Sequence, residues 1–324
     1  MNSKTIRTFD LFCGGGGSSR GAFLAGATPV AALDMWDLAA DTYKLNFPAA
    51  SVYQMKADSL SPKRLLKEVG CIDLMLASPA CTGHSIAKGD KPGCELSRAT
   101  AFNVVKFAKV LRPRWIVVEN VLQMKYWHRF KEWYEELKSI GYNLDSGVLD
   151  AQYYGTPQSR RRFFIVGDLK ANPVLPKPRK KTKRTVYSIL GHGEPDEGET
   201  WNFSLLHKPK RAKATIKRAR RAIKELGDGT PFIMVYYGTD GAGGFQSLNR
   251  PLRTITTLDR FAYLRKNGHG YEMRMLQPPE LAAAMGFPDN HLWSETTRRN
   301  KVKLIGNAVC PPVMKAIIES LIKA

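Results

Sequence analysis

The chain is poor in acid, in cysteine and in long apolar runs, and each shortage excludes something. Its 324 residues carry 29 Asp and Glu against 50 Lys and Arg, a net charge of +21. Such an excess points to a polyanionic partner, nucleic acid first and an anionic membrane surface second. The five cysteines, Cys13, Cys71, Cys81, Cys94 and Cys310, are odd in number, scattered and free of any C-x-x-C pair. Neither a disulfide framework nor a metal site is signalled, and a reducing, cytoplasmic setting is expected. Apolar runs such as Trp115-Ile116-Val117-Val118 fall far short of the ~20 residues that cross a bilayer. No leader peptide is visible in Met1-Asn2-Ser3-Lys4-Thr5-Ile6-Arg7.

What remains is ordinary for a globular protein. Hydrophobic residues make up 43% and charged residues 24%, which sets aside collagen-like and disordered classes. At ~150 residues per domain, two domains are expected, with enough core to fold without staples. Short apolar runs at 8–12, 29–33, 72–77, 114–118 and 163–166 read as strands. Amphipathic stretches at 18–24, 38–46, 62–69, 98–111 and 127–139 lie between them and read as helices. This alternation predicts a doubly wound, mostly parallel α/β sheet over residues 1–168. Ligands of such sheets sit at the carboxyl ends of the strands.

The texture changes near residue 168. Pro173, Pro176 and Pro178 lead into the basic run Lys177-Pro178-Arg179-Lys180-Lys181-Thr182-Lys183-Arg184. Residues 170–260 hold 19 Lys and Arg against 8 Asp and Glu, about half of the chain's net charge. Lys210, Lys213, Lys217 and Arg220 are spaced as on one helical face. A glycine-bearing stretch at 241–244 and the aromatics Tyr236, Tyr237 and Phe245 stand beside them. Together they predict a smaller, basic, nucleic-acid-facing domain at 169–265. Helices are expected at 279–285 and 309–322, with 266–324 packing back on the first domain.

Several strand ends carry chemistry. The first runs into Phe9-Asp10-Leu11-Phe12-Cys13-Gly14-Gly15-Gly16-Gly17-Ser18-Ser19, a glycine turn before a helix that lets the backbone approach a ligand. Asp34 ends the next strand at the distance of an acid that holds ribose hydroxyls. Asp58 follows an expected third strand that ends before it. Ser19 stands where G-x-G-x-x-G needs its last glycine, so a nucleoside without pyrophosphate fits better. Cys81, in Ser78-Pro79-Ala80-Cys81-Thr82-Gly83-His84-Ser85, is either a small buried hydrophobe or a nucleophile. His84 is either a base or a bystander. Glu119 closes the run Val117-Val118-Glu119-Asn120-Val121, where burial raises a carboxyl pKa and suits it to acid catalysis. The alternative is a structural pair with an arginine of Gln158-Ser159-Arg160-Arg161-Arg162, in which Arg160 and Arg162 share a face.

Taken in order, these motifs resemble the DNA (cytosine-5)-methyltransferase family. Asp10-Leu11-Phe12-x-Gly14 is similar to its S-adenosylmethionine loop, and Pro79-Ala80-Cys81 to its Pro-Pro-Cys nucleophile motif. Glu119-Asn120-Val121 matches its Glu-Asn-Val triplet, and Gln158-x-Arg160-x-Arg162 its Gln-x-Arg-x-Arg motif. Arg250-Pro251-Leu252-Arg253-Thr254-Ile255-Thr256 and Gly286-Phe287-Pro288 resemble the stretch after the target recognition domain. Gly306-Asn307-Ala308-Val309 resembles the last motif. Four positions depart from the pattern: Ala80 for Pro, Thr82 for Gln, Asp34 for Glu and Cys310 for Pro. None removes a group the chemistry requires.

The resemblance implies the methyltransferase fold and S-adenosylmethionine as cofactor. It places that cofactor at Phe12, Gly14, Gly16, Asp34, Met35, Asp58, Ser59, Pro79, Asn307, Ala308 and Val309. Cys81 is then the nucleophile and Glu119 the acid at ring nitrogen 3. Arg162 holds the ring carbonyl oxygen, and Arg160 orients the site and a nearby phosphate. Ala80, Thr82, Ser85, Asn120 and Gln158 hold a flipped-out cytosine, under a lid at 82–97. Duplex DNA is the implied partner, read at a short site by the basic domain. A nucleoid-associated monomer beside a cognate restriction endonuclease is the implied setting. Three other readings compete. A tRNA cytosine-5 methyltransferase usually carries Cys-Phe-Thr, absent here. A non-catalytic DNA-binding regulator sits poorly with the retention of Cys81, Glu119, Arg160 and Arg162. A nicotinamide oxidoreductase sits poorly with the incomplete glycine fingerprint and the charge.

Overall fold

The computed structural model describes residues 5–79, 100–178, 184–193, 201–237 and 244–323. Its larger sheet contains β1 (Arg7–Leu11), β2 (Thr28–Asp34), β3 (Ser51–Gln54), β4 (Leu74–Ala77), β5 (Trp115–Asn120), β6 (Asn143–Asp150) and β7 (Arg161–Asp168). Their order is β3-β2-β1-β4-β5-β7-β6. The first five pair in parallel; β7 runs antiparallel to both β5 and β6.

Alternation along each strand divides the core into two layers. Phe9, Leu11, Met75, Ala77, Ile116 and Val118 face one side, where α4 (Phe102–Leu111) and α5 (Phe130–Ser139) cover them. Leu74, Leu76, Trp115 and Val117 face the other, beneath α1 (Gly17–Leu24) and α9 (Pro311–Lys323). The remaining helices of this unit are α2 (Asp37–Asn46) and α3 (Pro62–Val69), with α7 (Pro278–Met285) and α8 (Arg298–Asn307) returning from the C-terminal side. The stretch Arg298–Lys323 has the apolarity of a membrane span, but 67% of its apolar window is buried in this fold.

The smaller sheet is antiparallel, ordered β10-β9-β11-β12-β8. It contains β8 (Ser204–Leu205), β9 (Phe232–Val235), β10 (Phe245–Ser247), β11 (Phe261–Asn267) and β12 (Gly270–Met275). One face of β9, with Ile233 and Val235, joins the core of the larger unit. The other, with Phe232 and Met234, packs under Ala219 and Ala222 of α6 (Lys213–Leu226). The boundary expected at 265 falls inside β11, because the β11–β12 hairpin turns only at Gly268 and His269. Lys210 precedes α6 with φ 65° and is not part of the helical stripe.

Candidate active site

The glycine turn comes first. Phe12, Gly14 and Gly16 take φ of 65°, 50° and 77°, conformations glycine adopts freely and phenylalanine does not. The N–H groups of Phe12 and Cys13 both donate to the Leu33 carbonyl, which ties the turn to the end of β2. Gly14 N–H donates to Asp34 Oδ2 at 2.9 Å, and Trp36 N–H to Oδ1 at 2.9 Å. Burial pushes the Asp34 pKa up, and the backbone donors pull it partly back. Met35 projects beside it, 65% exposed. A Cβ on Gly17 would lie 2.1 Å from the Val309 carbonyl oxygen, so the turn and the Asn307-Ala308-Val309 segment abut. Asn307 is exposed while Ala308 and Val309 are buried. Asp58 and Ser59 are exposed on a 3-10 turn after β3. This edge fits an adenosine-bearing cofactor: it offers a desolvated carboxylate for ribose hydroxyls and an uncovered apolar side chain for a base.

Beneath the turn lies a polar network that sequence reasoning missed. Ser19 Oγ donates to Asp10 Oδ2 at 2.7 Å and lies 2.7 Å from the Tyr43 hydroxyl. Desolvation raises the Asp10 pKa to about 7. His291 Nε2 sits 3.0 Å from the Gly15 carbonyl oxygen, and Arg20 Nε donates to its Nδ1. That pattern requires a neutral imidazole, and burial lowers its pKa to about 3. Asp10 lay in a motif that was recognised; His291, 276 positions from Gly15, carried no local signal.

One strand over, Glu119 is buried at the end of β5 and pairs with Arg162, Oε1 to Nε 3.1 Å. Desolvation raises its pKa, opposed by the charges of Arg162 and Arg160 and by the Ser78 hydroxyl. A cavity of about 10 Å³, room for a single water, lies behind the pair beside Cys310, Leu149 and Val313. The buried Cys310 thiol stays protonated, its pKa pushed up to about 11.

Three residues assigned to substrate or phosphate are engaged elsewhere. Gln158 is fully buried; its amide donates to the Ala284 carbonyl and Met285 Sδ, and its oxygen accepts from Ile255 N–H. It clamps the segment after β10. Arg160 donates to the carbonyls of Ile255, Gly306 and Ala308 at 2.8, 2.8 and 3.1 Å. Those bonds hold the last motif in place. Asn120 donates to the Pro79 carbonyl at 3.0 Å and accepts from Val121 N–H, so it ties the end of β5 to Pro79. Ala80, Cys81, Thr82, His84, Ser85 and the rest of 82–97 lie outside the described residues.

A mostly parallel sheet with an antiparallel β7 set between β5 and β6, and a glycine turn beside a buried carboxylate at the ends of β1 and β2, is the fold of S-adenosylmethionine-dependent methyltransferases. The family model for C-5 cytosine-specific DNA methylases matches residues 6–323, and the chain belongs to that family. Type II methyltransferase M.HindV of Haemophilus influenzae is 28% identical, over 98% of this chain and 96% of its own length. Type II methyltransferase M1.HphI of Haemophilus parahaemolyticus is 27% identical, over 98% and 87%. Among solved structures, a prophage-encoded Escherichia coli protein described as a DNA modification methyltransferase superposes with a TM-score of 0.71. It is 21% identical, over 98% of this chain and 99% of its own. The protein is an S-adenosylmethionine-dependent DNA (cytosine-5)-methyltransferase.

Proposed function

We propose that the enzyme methylates a flipped-out cytosine in a short duplex sequence through a covalent adduct with Cys81. The observation that carries this is the buried Glu119–Arg162 pair, joined through Asn120 to the carbonyl of Pro79, two residues before Cys81. Cytosine carbon-5 is a weak nucleophile, so the ring is activated from carbon-6. The Cys81 thiolate bonds to carbon-6, and the displaced π electrons move toward ring nitrogen 3. Glu119 delivers its proton there, which its raised pKa makes available at higher pH than for an exposed carboxyl. Arg162, with Nε on Glu119 and Nη1 on the Arg161 carbonyl, keeps Nη2 for the ring carbonyl oxygen. S-Adenosylmethionine, held by Asp34, Met35 and the glycine turn, supplies the electrophilic methyl group for carbon-5. Loss of the carbon-5 proton to water restores the ring double bond, expels Cys81 as thiolate and returns the nitrogen-3 proton to Glu119.

The smaller sheet with its basic helix serves as the target recognition domain, and the enzyme works as a nucleoid-associated monomer beside a restriction endonuclease of matching specificity. The relatives named as Type II methyltransferases support the pairing with a restriction endonuclease. The test is nucleoside analysis of plasmid DNA after incubation with labelled methyl donor. Label in 5-methylcytosine, lost with Glu119→Gln, supports the reading; label in any other nucleoside, or in tRNA alone, overturns it.

A further inference from the structure

The helix α6 is charged against its own stability. Lys213, Lys217, Arg220 and Lys224 are all exposed, and their spacing of four, three and four sets them on one stripe. Thr215, Ala219 and Ala222 are buried on the opposite face of the helix. Like charges four apart repel along a helix, and cations in a first turn oppose the macrodipole. No acid occupies that first turn and no side chain caps it. Among the described residues, no carboxylate pairs with any of the four. Lys208 and Lys210, also exposed, extend the positive surface ahead of the helix.

Position matters as much as charge. The β9 side chains Ile233 and Val235 pack into the core shared with α7 and α9. Phe232 and Met234, on the opposite face of the same strand, pack under α6. The helix therefore covers the face of the smaller sheet turned away from the catalytic unit. Over the eleven steps from Lys213 to Lys224, at 1.5 Å each, the stripe is roughly 16 Å long, several phosphate spacings of a duplex.

We propose that this stripe binds the phosphate backbone of duplex DNA outside the segment that carries the target cytosine, giving the enzyme a second, sequence-independent hold on its substrate. This rests on the enzyme being a DNA methyltransferase and on the target cytosine being held on the catalytic unit's side of the smaller domain. DNA is the occupant that fits. The enzyme acts on it, the stripe is a row of cations with no carboxylate partner among the described residues, and a polyanion relieves the repulsion built into the helix.

The experiment compares random-sequence duplexes of about 12 and about 40 base pairs, roughly 40 and 140 Å at 3.4 Å per step. Salt dependence of binding is measured for the wild type and for K213Q/K217Q/R220Q/K224Q. Each phosphate contact contributes about −0.9 to the log–log slope, so the variant's slope on the long duplex flattens by about 3 while the short duplex loses less than about 1. Equal flattening on both lengths places the stripe on the target segment itself and overturns the proposal. No flattening on either, or no length dependence in the wild type, also overturns it. The variant unfolds at or above the wild-type temperature, because glutamine keeps the helix and removes the repulsion; a fall would mark the four cations as structural. Methyl transfer by the wild type to plasmid DNA, run alongside, tests the enzymatic reading separately.

Discussion

Glu119 and Arg162 form the one acid–base pair of the site that the described residues show in full, and their neighbour Arg160 looks similar only in sequence. The three carbonyls on Arg160 predict that Arg160→Met lowers stability by on the order of 3 kcal/mol, since buried acceptors are left without donors. Arg162→Lys, by contrast, keeps a charge beside Glu119 and leaves the melting temperature nearly unchanged while methyl transfer falls. Thermal unfolding paired with initial rates separates the two. Glu119→Gln lowers the rate by about 10²–10⁴, the range for removal of a general acid, with the fold retained by circular dichroism. Asp10 gives a pH prediction. Its folded pKa, about 7, lies above the ordinary 3.8, so its contribution is fully present below the unfolded value and lost as pH rises through 7. At about 1.4 kcal/mol per unit, that is on the order of 4 kcal/mol less stability at pH 8 than at pH 4. His291 runs the other way: its folded pKa near 3 makes its contribution complete above 6.5 and lost as pH falls toward 3. Asp10→Asn removes the first effect alone. Stability of that variant, measured by denaturant unfolding, therefore rises relative to the wild type between pH 4 and 8; parallel curves would contradict the assignment.

At the scale of elements, the parallel half of the large sheet was legible because β1, β2, β4 and β5 are apolar runs buried on both faces. The strand β6 escaped, and β3 was placed only as the strand that precedes Asp58. Asn143-Leu144-Asp145-Ser146-Gly147-Val148-Leu149-Asp150 has little β character of its own and is held at the sheet edge by its ladder to β7. The helix α8, Arg298-Arg299-Asn300-Lys301-Val302-Lys303-Leu304-Ile305-Gly306-Asn307, was hidden by its polarity, although Thr297 caps it by accepting from Asn300 N–H. Site residues that end strands, Asp34 and Glu119, were readable from position; the engagement of Gln158 and Arg160 by backbone about a hundred residues away was not. That long-range docking is tight. A Cβ on Gly306 would meet the Thr256 carbonyl oxygen at 2.1 Å. Gly306→Ala must push α8 off the 253–257 segment, at about 1–3 kcal/mol or more, and loosen two of the Arg160 bonds with it. A melting temperature equal to the wild type would show that the contact is not a constraint.

For the molecule as a whole, one core runs through both sheets, from Ile317 and Met314 of α9 to Ile233 and Phe261 of the smaller one. The charge is less evenly spread, with about half of the +21 in residues 170–260. The basic helix α6 and the buried Glu119–Arg162 pair thus belong to different parts of one scaffold. The central claim is that methyl transfer passes through a bond between Cys81 and carbon-6 of the target base. DNA in which 5-fluorocytosine replaces cytosine tests it most directly, because fluorine on carbon-5 cannot leave as the proton does. With methyl donor present, the account predicts a protein–DNA adduct that survives denaturing electrophoresis for the wild type and is absent for Cys81→Ser. Methylation of ordinary DNA without any trapped adduct, or an adduct that persists in Cys81→Ser, would contradict it.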